Sequence, residues 1–163
     1  MTIADQLKKI ADGLGDFCKA SKATVKIAHD VPHLFKLLGD SAGSPRLAIL
    51  FAGERIRNED HADICGRVDR KFWIAISRGY SLENYPGKSL VEGVAGGLPM
   101  FELVEGGRDA LRALTIGTED EPLPFYRGTE LMAFEGVTTD VYRIEIDAAA
   151  DIGDLSESEP EPD

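Results

Sequence analysis

At 163 residues, with 43% hydrophobic and 29% charged side chains, the chain has the make-up of one folded domain and not of a disordered segment. Eighteen basic against 29 acidic residues leave a net charge of −11, the wrong balance for a domain that neutralises phosphates, which argues against tight nucleic-acid binding. Cys18 and Cys65 lie far apart and outside any CxxC pair, so neither a zinc knuckle nor a disulfide framework is expected.

In chain order, Ile3, Leu7, Ile10, Leu14 and Phe17 recur at helical spacing, with Thr2 and Asp5 placed as a capping box, so the chain opens with a helix. The acids in this segment break the apolar core that a signal peptide needs, and no run reaches the roughly 18 apolar residues of a membrane span. A soluble, intracellular chain in a reducing compartment is expected.

Residues 23–28 alternate, with Val25 and Ile27 on one side, as a short half-buried strand does. Asp30 is placed to cap a brief helix through Leu38, with Pro32 tolerated in its first turn. After a loop over 41–45, residues 47–52 are apolar on both faces and read as a central strand. Residues 53–61 read as a polar loop. Residues 64–77 return as a long strand with Phe72, Ile74 and Ile76 on one face, Trp73 and Ala75 on the other, and a bulge expected at Gly66.

A long Gly, Pro, Asn and Ser-rich connection follows over 79–98, with a short helical turn expected at 89–94. Pro99 suits a first helical position, and Phe101, Val104, Leu111 and Leu114 make an amphipathic helix weakened by Gly106 and Gly107. Residues 130–134 and 139–146 then form a hairpin through Gly136. The resulting fold class is α+β, order αβ(α)ββαββ, with a mixed or antiparallel sheet of about five strands and helices on one face. Residues 1–147 are the expected domain. Residues 148–163, AAADIGDLSESEPEPD, are the expected acidic flexible tail, because that composition buries too little to order itself.

The chain carries no pattern that declares a reaction. His29 and His33 have a metal-compatible spacing, yet Val31 and Pro32 put His29 at or before the helix start, so both read as surface or capping residues. His61 and Cys65, four apart on a strand, would stand about 13 Å from one another, too far for a thiol and its base. The segment GVAGGLPMFELVEGG is glycine-rich but lacks the GKS or GKT of a phosphate loop. No catalytic residue, metal ligand or cofactor site is therefore expected.

Arg55, Arg57, Arg67, Arg70, Lys71 and Arg78 are interleaved with Glu54, Glu59, Asp60, Asp63 and Asp69. Such a mixture is either a solvated surface or a contact between copies, where opposite charges set register. Trp73 belongs to the core unless its sheet face lacks a cover, and two helices cover only one face of a sheet this size. The candidate contact residues are Arg55, Arg57, Glu59, Asp60, Arg67, Arg70, Lys71 and Trp73.

This element order, with the strands RLAILFAGE, GRVDRKFWIAIS and VYRIEID, resembles the tail terminator (tail completion) proteins of long-tailed bacteriophages over roughly residues 3–147. The resemblance implies a non-enzymatic virion protein that forms a hexameric ring and caps the head-proximal end of the tail tube. It would stop tube polymerisation and join tail to head connector in the neck. Its implied partners are copies of itself, the tail-tube protein and the head-tail connector, with DNA passing through the lumen without specific binding. Assembly would occur in the bacterial host cytoplasm, without membrane or cofactor. The acidic extension after Asp147 has no counterpart in the resemblance. Two other classes compete: a small thiol or metal hydrolase using Cys65, His61 or His29, and an acidic mimic of DNA. The mimic ranks last, because much of the excess acid lies in the tail and not at phosphate-like spacing on the body.

Overall fold

The computed structural model describes residues 1–39, 45–57, 66–78, 98–132 and 140–152. The first helix begins where the sequence places its cap: the Asp5 amide donates to Thr2 Oγ1 at 3.1 Å and the Thr2 amide donates back to Asp5 Oδ2 at 3.1 Å. The Thr2 hydroxyl, donating to Asp5 Oδ2 at 2.8 Å, and the Thr2 amide hold the Asp5 carboxyl below its ordinary range, because these bonds favour its charged form.

The expected single helix is two, α1 over Ile3–Gly13 and α2 over Gly15–Ser21, with Leu14 between them. Glycines on both sides of Leu14 weaken the helix there. The turn also brings the backbone close to Leu114, for a Cβ on Gly13 would lie 2.2 Å from that side chain. Next come β1 at Thr24–Ala28 and α3 at Val31–Gly39, where the His33 amide donates to Asp30 Oδ1 at 2.8 Å as the capping expectation requires. The remaining elements are β2 at Arg46–Ile56, β3 at Arg67–Arg78, α4 at Met100–Arg112, β4 at Phe125–Met132 and β5 at Asp140–Asp151.

The strands form one sheet in the order β1-β2-β3-β5-β4, with β1 and β2 parallel and every other pair antiparallel. This is the α+β architecture expected, with several boundaries displaced. β2 continues through the polar residues to Ile56, past an irregularity between Phe51 and Gly53, so the loop expected from 53 starts later. Gly53 there has φ 130°, a conformation that glycine adopts readily and other residues do not. Gly66 stands ahead of β3 and not within it. Pro99 is the N-cap of α4, one residue before its expected place. β4 starts at Phe125, and β5 runs to Asp151 with Ala148, Ala149 and Ala150 buried, so ordered chain extends beyond Asp147. The expectations for 41–44, 58–61, 64–65, 79–97, 133–139 and 153–163 lie outside the described residues.

Strand alternation divides the molecule into two unequal layers. On one face α1, α2 and α4 bring Ile10, Leu14, Cys18, Leu103 and Leu111 onto Leu47, Ile49, Phe72, Ile74, Ile76, Ile144 and Ile146. Gly106 and Gly107 cost helix propensity but permit this close seat, since a Cβ on Gly106 would lie 2.6 Å from the Phe17 ring and one on Gly107 would lie 3.3 Å from Ile76. On the other face only α3 packs, its Leu34 and Leu38 over Ala48, Leu50, Ala75 and Val141. Helices thus lie on both faces, contrary to the one-face expectation. Among the described residues, the second cover reaches only one end of the sheet.

Candidate interface on the half-covered sheet face

Beyond the reach of α3, the register sets the content of this face. Lys71 stands opposite Gly53 on one side and Asp147 on the other, Asp69 opposite Arg55 and Ala149, and Trp73 opposite Leu50 and Glu145. Residues directly across a sheet point the same way, so β2, β3, β5 and β4 jointly expose a mosaic of opposite charges.

Trp73 is half-buried at the border of the α3 cluster. Its Nε1 donates to Glu145 Oε2 at 3.0 Å, and the Arg143 guanidinium lies 4.3 Å from the ring centroid. Arg143 also donates to Glu130 at 2.7 Å, and Lys71 Nζ lies 3.5 Å from Glu145 Oε1. Arg127 binds Asp147 Oδ2 at 2.6 Å while stacking over Phe125.

Towards the far end of the strands, Arg57 grips Asp69 with two nitrogens and also binds Glu121. Arg67 grips Asp120 at 2.8 and 2.9 Å and reaches Asp151 at 3.0 Å. Forked guanidinium-carboxylate contacts fix geometry as well as charge. Donation to Asp69 and Glu121 raises the Arg57 pKa further, as donation to Asp120 and Asp151 does for Arg67. Bonds from Arg67 and Thr118 hold the Asp120 carboxyl far below the usual carboxylate range. Exposed pairs of this kind contribute little stability one at a time, so their main effect is to fix a pattern of charge in space.

Ala52, Gly53, Arg55, Lys71, Arg127 and Asp147 line a shallow depression of about 340 Å³ in this mosaic. Asp147 is 8% exposed, and its Oδ1 makes no hydrogen bond among the described residues. Arg55 projects on the same side with no salt bridge among the described residues.

Five of the residues expected as contacts meet here: Arg55, Arg57, Arg67, Lys71 and Trp73. Arg70 does not. Strand alternation puts it with Val68 and Phe72 on the helix face, where it is 7% exposed and donates from Nη1 to Met1 O and Gln6 Oε1, both at 2.9 Å. Glu59 and Asp60 lie outside the described residues. Sequence reasoning missed Arg143, Glu145 and Asp147, although their spacing of two within VYRIEID puts all three on one face of a strand.

The other candidates do not converge. His29 and His33 stack with centroids 4.1 Å apart, and the His29 amide donates to His33 Nδ1 at 3.2 Å, a local arrangement at the start of α3. Cys18 is packed in the helix-side core, where burial pushes its thiol pKa up and lowers its reactivity. Cys65 and His61 lie outside the described residues. Among the described residues, no three His, Cys, Asp or Glu side chains are grouped to hold a metal ion, and no helix is long and apolar enough to cross a membrane.

No protein-family model matches the chain, and no curated protein matches it.

Proposed function

We propose that this protein is a structural ring subunit of a phage tail, a terminator that caps the head-proximal end of the tail tube and joins it to the head connector. The observation that carries this reading is the sheet face beyond α3, left without a helix among the described residues and patterned with opposite charges around Trp73. Charge on such a surface selects partner and register more than it adds affinity, which suits a subunit that must meet one end of one polymer. The uncovered end of that face, where β2 ends and β3 begins, meets the last ring of the tube. A cyclic ring uses head-to-tail contacts, so each copy presents two different surfaces to its neighbours.

The test is electron microscopy of tubes grown from the matching tail-tube protein with and without the full chain. Tubes of limited length bearing a ring at one end are the expected result. Tubes of unlimited length with bare ends, at saturating amounts of this chain, would refute the reading.

A further inference from the structure

Two strands, β1 and β4, end the sheet, and no described strand pairs with the outer edge of either. Open edges invite pairing, and a protein that stays alone shields them with charge or cover. Here each edge carries a charge, Lys26 on β1 and Glu130 on β4, together with exposed apolar side chains: Leu131 on β4 is 58% exposed and Ile27 on β1 is 39% exposed. We infer that β4 of one copy pairs with β1 of the next, extending the sheet from subunit to subunit.

Three features of the chain select this occupant over others. The first is direction. β1 runs parallel to β2, and the antiparallel steps from β2 to β3, β5 and β4 leave β4 antiparallel to β1. Rotation about a ring axis aligned with the strands preserves those directions, so β4 meets the neighbour's β1 antiparallel, the slightly more favourable pairing.

The second is charge. Glu130 and Lys26 lie on the same sheet face, across from Arg143 and Ala48 respectively. Setting Glu130 opposite Lys26 makes a cross-strand ion pair, and although Glu130 already contacts Arg143, 70% of its side chain is exposed. The third is that this one register also puts Leu131 opposite Val25 and Thr129 opposite Ile27 on the other face. Self-pairing gains none of this. A two-fold β4 contact centred near Glu130 offers it only another Glu130, Gly128 or Met132, and a two-fold β1 contact offers Lys26 only another Lys26, Thr24 or Ala28.

The inference rests on the ring reading for closure, but the edge contact is tested by itself. In the full chain carrying Cys65→Ser, with buried Cys18 left in place, Ile27→Cys and Thr129→Cys are made separately and mixed under mild oxidation. Residues directly opposite in an antiparallel pair have Cα atoms about 4.5–5.5 Å apart, within disulfide range. Disulfide-linked dimer at least tenfold above either variant alone is expected. Equal dimer from Thr129→Cys alone, or a mixture no better than the single variants, would overturn the inference.

Charge exchange provides the second reading. Lys26→Glu and Glu130→Lys should each lower cross-linking severalfold and restore it when combined in one chain, and single changes without effect would contradict the proposed register. With both cysteines in one chain, a ladder that closes on one species supports contact and ring together. A ladder that grows into open fibres keeps the edge contact and removes the ring.

Discussion

Arg70→Ala is expected to destabilise the fold by about 3 kcal/mol, because it leaves the buried Gln6 oxygen and the partly buried Met1 carbonyl without their donor and removes a buried guanidinium's packing. The guanidinium is the hub of a network between β3 and the N-terminus: it serves Met1 O and Gln6 Oε1, while Glu54 lies 3.3 Å from its Nε. Gln6, itself fully buried, donates onward to Ile116 O at 2.8 Å, so the same side chain ties α1 to the segment after α4. Urea unfolding gives the loss directly. A cycle with Gln6→Ala should return a coupling of about 0.5–3 kcal/mol, as expected for residues sharing a network. A loss below about 1 kcal/mol for Arg70→Ala would mean that water replaces the guanidinium at little cost. Arg55→Ala, the same residue type on the open face, should change stability by no more than about 0.5 kcal/mol.

The second large effect concerns assembly and not folding. Arg55→Glu with Lys71→Glu reverses two charges on the half-covered face while leaving the Arg57 and Arg67 clusters intact. Among the described residues Lys71 makes one salt bridge, at 3.5 Å, and its side chain is 44% exposed, so its loss costs the monomer little. Against a partner surface built for the opposite sign, two reversals turn attraction into repulsion and should weaken docking roughly a hundredfold, about 2.7 kcal/mol. Because Asp69 stands opposite position 55 and Asp147 opposite position 71, with Glu145 beside it, the double variant should lose about 1–2 kcal/mol, remain folded without urea and fail to limit tube length. Unchanged capping by a folded variant would remove this face from the contact.

Much of the architecture is legible in the residues, because local chemistry and pattern agree with the final structure. Thr2 and Asp5 mark the start of α1, Asp30 the start of α3, and the alternation around Phe72 marks β3 and its two faces. The misplaced boundaries share a cause: they depend on distant neighbours. The break at Leu14 takes the approach of Leu114 as well as the neighbouring glycines, and the extension of β2 through Glu54 and Arg55 takes hydrogen bonding with β3, and neither distant partner is local information. The same limit applies to the contact residues. Charge alone grouped Arg70 with its neighbours, whereas strand alternation, which is legible, separates it. Apart from Asp69, twelve residues from Arg57, the ion partners of Arg57 and Arg67 are Glu121, Asp120 and Asp151, more than fifty residues away along the chain, and only the fold brings them together.

Amine labelling of Lys71, followed by mass spectrometry, tests most directly whether the sheet face beyond α3 is kept open for a partner. With Lys9, exposed on α1, as the internal reference, Lys71 should react readily in the free chain and at least tenfold more slowly once the protein sits on the tail tube. Equal labelling of Lys71 in the free and assembled states would contradict the account.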